Sequence, residues 1–181
     1  MHKARREKGR DPMTQIEPFK VLFLCTGNSA RSIFGEFLLR KIGRGAFVTW
    51  SAGAQPRGEV SPYTQRVLRE VYKIDPSSAR SKSIADFVGT PFDYVITVCD
   101  RARETCPPWP DKTVVAHWSS PDPAEFRGTD DETYRYYQTV AAQIQRRIEL
   151  MCCLPLSSHD QGRRERLARE IGEKEKLPEQ T

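Results

Sequence analysis

The sequence predicts an α/β fold, a three-layer α/β/α sandwich with a four-stranded, mainly parallel sheet. Short continuous apolar runs, typical of strands buried on both faces, alternate with longer stretches of helical period. The 181 residues suit one domain with tails, and 38% hydrophobic residues are enough for a packed core. Strands that alternate with helices favour parallel pairing, because each helix connects one strand to the next.

The first two predicted strands enclose the first helix. Residues 21–24 (VLFL) form an uninterrupted apolar run, and residues 47–50 (FVTW) form the second strand. Between them a loop of Gly, Asn and Ser leads into a helix that ends near Gly43. The apolar side of this helix consists of Ile33, Phe34, Phe37, Leu38 and Ile42.

The second half of the fold repeats the alternation. Ser61 and Pro62 open a helix whose apolar stripe is Val67, Leu68 and Val71. Residues 94–98 and 113–116 are the third and fourth strands. Thr129, with Glu132 three positions later, gives the capping box that begins the last helix. Its stripe is Tyr137, Val140, Ile144, Ile148 and Met151, and Pro155 follows its end.

Charge and cysteine content limit the function classes. The net charge is +5, but residues 13–157 hold 18 basic and 16 acidic side chains, too nearly neutral for a general nucleic-acid binder. No apolar run approaches the length of a transmembrane helix, and the N-terminus has no apolar signal segment. We therefore expect a cytoplasmic protein without a membrane partner, whose five cysteines are mainly thiols.

The same composition divides the chain into three parts. Residues 1–18 are a basic leader for which we expect disorder, and residues 19–157 are the folded domain. Residues 158–181 are a charged tail, either a frayed helix or disordered.

The central motif is a C-x5-R segment between the first strand and the first helix, from Cys25 to Arg31. Ligands bind at the carboxyl ends of strands in such sheets, where this loop must lie. Gly27 is expected to let the backbone turn so that amide N–H groups point inward, and the helix N-terminus adds its positive dipole end. Arg31 adds a fork for two oxygens. The segment therefore predicts a cradle for a phosphate-like dianion.

The cradle also acts on Cys25. Inward amides, the helix dipole and Arg31 all favour its thiolate, and the Ser32 hydroxyl is placed to donate a hydrogen bond to the sulfur. A thiolate beneath a bound oxyanion is a nucleophile in attack position. The alternative is a small buried residue that closes a tight turn.

Asp122 lies in a Pro-Asp-Pro loop after the fourth strand, on the same rim as Cys25. The prolines restrict the backbone, and a carboxyl group there can protonate a leaving oxygen. From the residues alone, an acidic turn residue is an equally good interpretation.

The residues around this loop resemble a known family. VLFLCTGNSARS (21–32) is similar to the active-site loop of the low-molecular-weight protein tyrosine phosphatase superfamily, and particularly of its arsenate reductase branch. SAG (51–53), TVCDRARETCP (97–107) and HWSSPDPA (117–124) follow in the family's order, so the resemblance covers roughly residues 19–157. It implies that Cys25 is the nucleophile, Arg31 the oxyanion clamp and Asp122 the general acid. It also implies that Asn28 holds the loop in its unusual conformation. The substrate would contact the loop residues Thr26, Gly27, Asn28, Ser29, Ala30 and Ser32.

The arsenate reductase branch implies two further thiols. Cys99 would attack the Cys25–arsenic adduct, releasing arsenite, and Cys106 would then carry the disulfide outward. If the segment between them is helical, Cys99 and Cys106 stand about 10.5 Å apart along its axis. A disulfide needs Cα atoms within about 7 Å, so the segment must partly unwind. The implied donor is a thioredoxin-like protein, or a glutaredoxin-like protein with glutathione, and no bound cofactor is expected.

Other functions are weighed against this reductase. A phosphatase that works through a phosphocysteine needs only Cys25, Arg31 and Asp122, and an idle oxyanion-binding or redox-sensing protein would be expected to lose one of them. Ala30 stands where many relatives carry another cysteine. Ala124 replaces the aromatic residue that helps hold a phosphotyrosine ring, which favours a small inorganic substrate such as arsenate, with phosphate or sulfate as competitors.

No metal site is predicted, because C-x6-C lacks the paired spacing of zinc ligands. Cys152 and Cys153 are expected to pack at the end of the last helix.

Overall fold

Residues 17–154 and 160–174 are described by a computed structural model. The first half of the fold contains β1 (Phe19–Cys25), α1 (Arg31–Ile42), β2 (Phe47–Gly53), α2 (Pro62–Glu70) and a 3-10 turn (Ile84–Phe87). The second half contains β3 (Tyr94–Thr97), α3 (Asp100–Glu104), β4 (Val114–His117), α4 (Asp130–Cys152) and α5 (Gln161–Lys174).

The four strands form one parallel sheet in the order β2-β1-β3-β4, which confirms the predicted fold class. Cys25 pairs with Gly53 on β2, and Thr97 pairs with His117 on β4. The carboxyl ends of all four strands therefore meet at one edge, where the loops after β1, β3 and β4 converge.

Helices α1, α2 and α4 pack together on one face of the sheet. α1 lies close to β1 at Gly35, where a Cβ would fall 2.5 Å from the Phe23 ring. The other face is covered near β2 by a cluster of edge-to-face and tilted aromatic rings. Its members are Trp50, Phe87, Phe92 and Trp109.

Helix boundaries follow the capping signals. Thr129 and Glu132 form the expected capping box at the start of α4. Ser61 is the N-cap of α2, with Pro62 first in the helix, as predicted. Val71, however, is 46% exposed and is the C-cap of α2 instead of part of its buried stripe, because the helical span ends at Glu70.

The charged C-terminal segment differs from expectation. Residues 161–174 form a packed helix, α5, neither frayed nor disordered, which buries Ala168, Ile171 and Gly172 along β4. The predicted leader (1–18) falls almost entirely outside the described residues, as does Pro155. Among the described helices, none combines the length and apolar character needed to span a membrane.

Candidate active site

The loop between β1 and α1 turns its carbonyl groups outward. The carbonyls of residues 25, 26, 27 and 29 accept hydrogen bonds of 2.9–3.1 Å from the backbone amides of residues 54, 55, 57 and 61. In a planar trans peptide the C=O and the following N–H point in opposite directions. The N–H groups of residues 26, 27, 28 and 30 therefore point inward, as an oxyanion cradle requires.

The left-handed residue of the loop is Asn28, at φ 42°, the residue that the family resemblance implies holds the loop in its unusual conformation. Asparagine tolerates this region because its side chain bonds locally. Its amide nitrogen donates to Ser32 Oγ at 2.8 Å and to Ser51 Oγ at 2.9 Å, and its amide oxygen accepts from Lys82 N. Asn28 thus holds the loop through contacts with three other segments.

The Cys25 thiol lies at the bottom of the cradle and is 2% exposed. Its sulfur accepts a hydrogen bond from the Asn28 backbone N–H at 3.1 Å and lies 2.9 Å from Ser32 Oγ. Both groups are placed to stabilise a negative sulfur, and α1 begins at Arg31 with its N-terminus toward the same point.

Arg31 and Asp122 are in direct contact across the cavity. Arg31 NH2 lies 2.7 Å from Asp122 Oδ2, and NH1 donates to the Ser120 carbonyl at 3.1 Å. Asp122 Oδ1 also accepts the Ala124 backbone N–H at 3.1 Å, which fixes the carboxyl group in its Pro-Asp-Pro loop. The structure therefore brings the thiol, the guanidinium and the carboxyl group to one rim.

Cys99 and Cys106 line the same open cavity of about 1580 Å³ as Cys25. Cys99, 6% exposed, caps the start of α3, and its sulfur lies 3.4 Å from Thr26 Oγ1 in the cradle loop. Cys106 is half-buried, and burial raises the pKa of its thiol while a hydrogen bond from Trp109 Nε1 at 3.2 Å opposes that rise.

His117 fixes the segment that carries Cys99. Its Nδ1 lies 2.8 Å from Thr97 Oγ1, and its Nε2 lies 2.9 Å from Asp100 Oδ1, so it contacts residues on both sides of Cys99. The α3 helix that follows has a single turn.

The sequence matches the family described as low molecular weight phosphotyrosine protein phosphatase over residues 20–161. The chain belongs to this family. An arsenate reductase of Oceanobacillus iheyensis is 35% identical over 130 residues, which is 72% of this chain and 92% of that protein.

Solved structures of arsenate reductases share the fold of this chain. The arsenate reductase of Archaeoglobus fulgidus superposes with a TM-score of 0.59 at 28% identity, over 73% of this chain and 98% of its own. A thioredoxin-dependent arsenate reductase of Corynebacterium glutamicum gives 0.55 at 26% identity, over 75% of this chain and 64% of its own.

Two contacts at this site were not predicted from the sequence. Gly53 makes room for the loop, since a Cβ there would lie 2.7 Å from the Thr26 carbonyl and 3.0 Å from the Asn28 backbone. Glu36, 5% exposed, pairs with Lys82 Nζ at 2.9 Å and accepts from Ser51 Oγ at 2.6 Å. A buried glutamate requires a cationic partner or hydrogen-bond donors, but Lys82 is 46 residues away in the sequence, so no local pattern predicts this pair.

The rim also carries two aromatic side chains, although position 124 is alanine. Phe126 and Tyr136 are stacked at 4.6 Å between ring centroids and line the cavity. Burial and the nearby Asp122 charge raise the pKa of Tyr136. Cys152 packs partly against the core at the end of α4, as expected, but Cys153 is exposed, and neither lines this cavity. The part of the chain described here has no cluster of three or more His, Cys, Asp or Glu placed for a metal.

Proposed function

We propose that this protein reduces arsenate to arsenite with three thiols, Cys25, Cys99 and Cys106. The observation that carries the proposal is the contact between Cys99 and Thr26, the residue next to Cys25. A phosphatase has no use for a second thiol there, because water resolves its phosphocysteine. A reductase requires one, because two electrons must come from sulfur.

In the first step Cys25 attacks arsenic and an arsenate oxygen leaves as water. The loop amides and Arg31 bind the remaining oxygens, which displaces the Arg31 guanidinium from Asp122. Asp122 can then supply the proton that the leaving oxygen needs. The product is a covalent S–As bond, with arsenic still pentavalent.

In the second step the Cys99 thiolate attacks Cys25 Sγ. The S–As bond breaks with its electron pair on arsenic, so arsenic(V) becomes arsenic(III) and leaves as arsenite, while two thiols become one disulfide. Cys106 then attacks Cys99, which regenerates the Cys25 thiolate and leaves a Cys99–Cys106 disulfide.

An external dithiol closes the cycle by reducing that disulfide. Cys106 is more exposed than Cys25 and Cys99, which suits exchange with a protein donor. A thioredoxin-like protein fits this role, since a relative of 26% identity is thioredoxin-dependent, and a glutaredoxin-like protein with glutathione is the other candidate. The free thiols that the cycle requires suit the reducing conditions of the cytoplasm.

The test is a Cys106→Ser variant supplied with arsenate and no small thiol. It should release about one arsenite per enzyme and stop as a Cys25–Cys99 disulfide, detected by peptide mapping, since nothing can resolve that bond. Cys153→Ser is the matched control: the same change at an exposed thiol outside the cavity should leave multiple turnover with a thioredoxin system intact.

Normal multiple turnover by Cys106→Ser with a protein reductant alone would refute the relay. Rapid hydrolysis of para-nitrophenyl phosphate by the wild type, without any arsenite from arsenate, would replace the reductase with the phosphatase that shares its cradle.

A further inference from the structure

Arg147 is a buried arginine that is hydrogen-bonded to the start of the loop carrying Asp122. It lies on α4, and its side chain is completely buried. NH1 donates to the carbonyls of Trp118 and Ser119 at 3.0 and 2.9 Å and lies 2.9 Å from Ser120 Oγ. One guanidinium nitrogen therefore contacts three consecutive residues after β4. Burial of a charge is costly, and these hydrogen bonds offset part of that cost.

Arg31 holds the same loop from the side of the cavity. It donates to the Ser120 carbonyl at 3.1 Å and pairs with Asp122 at 2.7 Å. Ser120 is thus held through its side chain by Arg147 and through its backbone by Arg31. Pro121 restricts the backbone between Ser120 and Asp122, so a shift of residues 118–120 must move the carboxyl group.

Helix α5 supports this arrangement through two backbone carbonyls that accept hydrogen bonds from Trp118 and Arg147. The Ala168 carbonyl accepts the Trp118 indole N–H at 2.9 Å, and the Gly172 carbonyl accepts from Arg147 NH2 at 3.4 Å. Gly172 lies in the last turn of α5, whose carbonyls lack partners within the helix and favour a nearby cation. A Cβ on Gly172 would fall 2.1 Å from the His117 carbonyl, so the helix approaches β4 as closely as glycine allows.

This support is an addition to the shared fold. The family match ends at residue 161, where α5 begins, and 98% of the Archaeoglobus fulgidus structure is covered by 73% of this chain. Relatives of that length leave almost no chain for a further helix.

We infer that Arg147, supported by α5, is a positioning residue that sets the Asp122 carboxyl group for proton transfer to the leaving oxygen. The inference rests on the proposed function, in which Asp122 is the acid. The Arg147 guanidinium bonds residues 118–120, which lead to Asp122 and not to the cradle loop, so its effect should fall on the rate and not on oxyanion affinity.

The experiment compares Arg147→Met, Asp122→Asn and the double variant, all carrying Cys106→Ser so that each enzyme releases one arsenite. The rate of that release is measured, together with the phosphate concentration that half-protects Cys25 from iodoacetamide. Arg147→Met should slow release by about tenfold to a hundredfold, since small misplacements of a catalytic group have effects of that size. Phosphate protection should change by less than about threefold, the scale of a secondary effect.

The rate of arsenite release by the double variant distinguishes positioning of Asp122 from a purely structural role of Arg147. If Arg147 acts through Asp122, the double variant should be no slower than Asp122→Asn alone, because the carboxyl group is already lost. Arg147→Lys keeps the positive charge and some of the hydrogen-bond donors. Its release rate should therefore lie between that of Arg147→Met and that of the parent. Near-UV circular dichroism checks the fold of each variant.

The outcomes separate two failures. A parental rate for Arg147→Met, no recovery in Arg147→Lys, multiplying effects in the double variant, or lost phosphate protection would overturn the positioning role while leaving the reductase intact. An Asp122→Asn rate equal to the parent would overturn the acid assignment and the inference with it. No arsenite from the parent would overturn the proposed function first.

Discussion

Asn28 is the residue at which the shape of the cradle and the environment of the thiol are joined. Its left-handed backbone is a less favourable conformation, which persists where surrounding contacts determine it. Those contacts are its backbone bond to Cys25 Sγ and its side-chain bonds to Ser32, Ser51 and Lys82. One residue therefore connects the sulfur, through its backbone, to α1, β2 and the segment before the 3-10 turn, through its side chain.

Cys106 offers the clearest test at the scale of a single residue. Burial raises the pKa of its thiol, and the Trp109 N–H bond lowers it, so less thiolate is present near neutral pH than for an exposed cysteine. In the proposed relay, the attack of Cys106 on Cys99 should therefore accelerate as pH rises toward the Cys106 pKa. Trp109→Phe removes the donor and should move this acceleration to higher pH.

The expected size of the Trp109→Phe effect is moderate. A rise of one pKa unit lowers the thiolate fraction about tenfold, but the more basic thiolate is also more nucleophilic, so the net loss below the pKa is about threefold. Rapid-quench peptide mapping of the Cys99–Cys106 disulfide between pH 6 and 9 measures it. Unchanged Cys25 alkylation in the variant is the control, and an unshifted profile would show that Trp109 does not act on Cys106.

At the scale of elements, the local signals were sufficient where one segment determines its own structure. The apolar run at residues 21–24 and the Thr129–Glu132 pair each predicted an element that the structure contains. Contacts between distant segments were not predictable. Lys82 meets Glu36 across 46 residues, and two of the three side-chain partners of Asn28, Ser51 and Lys82, lie outside the loop sequence.

α5 was missed because its composition conceals its packing. Charged side chains dominate residues 161–174, which favours a solvated tail. The buried positions, Ala168, Ile171 and Gly172, nevertheless have the three- and four-residue spacing of one helical face. Two of the three are small, so their apolar signal is weak, although small size is what close approach to β4 requires.

The capping box of α4 gives a prediction at this scale. Thr129 Oγ1 accepts the Glu132 backbone N–H at 3.3 Å and donates to Glu132 Oε2 at 2.8 Å. Thr129→Ala should lower the free energy of unfolding by about 1 kcal/mol in urea denaturation. Thr139→Ala, an exposed mid-helix change in the same α4, should be neutral or slightly stabilising, since alanine favours helix more than threonine.

The same box predicts a pH dependence. Hydrogen bonds from the Thr129 backbone and side chain lower the pKa of Glu132. Its contribution to stability is therefore present above its unfolded pKa and is lost as pH falls through the lower folded value. The stability difference between wild type and Glu132→Gln should shrink between pH 7 and pH 3, and a difference independent of pH would show that the carboxylate does not contribute.

Over the whole molecule, the cradle is bonded to several segments, while the segment after Cys99 is short and largely exposed. The cradle loop is bonded to the chain after β2, to Lys82 and to the first turn of α1. The segment from Cys99 to Cys106 has one helical turn, with exposed side chains at Asp100, Arg101 and Arg103. A protein that moves a disulfide outward needs this contrast, because the anion site must survive while the relay changes shape.

The contrast predicts where oxidation alters the structure. A Cys99–Cys106 disulfide cannot span a helical segment, since seven residues rise about 10.5 Å and the bond needs Cα atoms within about 7 Å. We therefore expect α3 to unwind, breaking the Arg103 N–H bond to the Cys99 carbonyl and the Thr105 N–H bond to the Arg101 carbonyl. In oxidised Cys25→Ser, hydrogen exchange at these two amides should accelerate at least about tenfold relative to the reduced variant. The Val98 N–H bond to Leu24 joins the end of β3 to β1, and the Phe34 N–H bond to Ala30 lies in the first turn of α1. Both flank the cradle, and their exchange should not change. Equal acceleration at all four amides would mean that the sheet edge opens as one unit and that the cradle does not stay fixed during the relay.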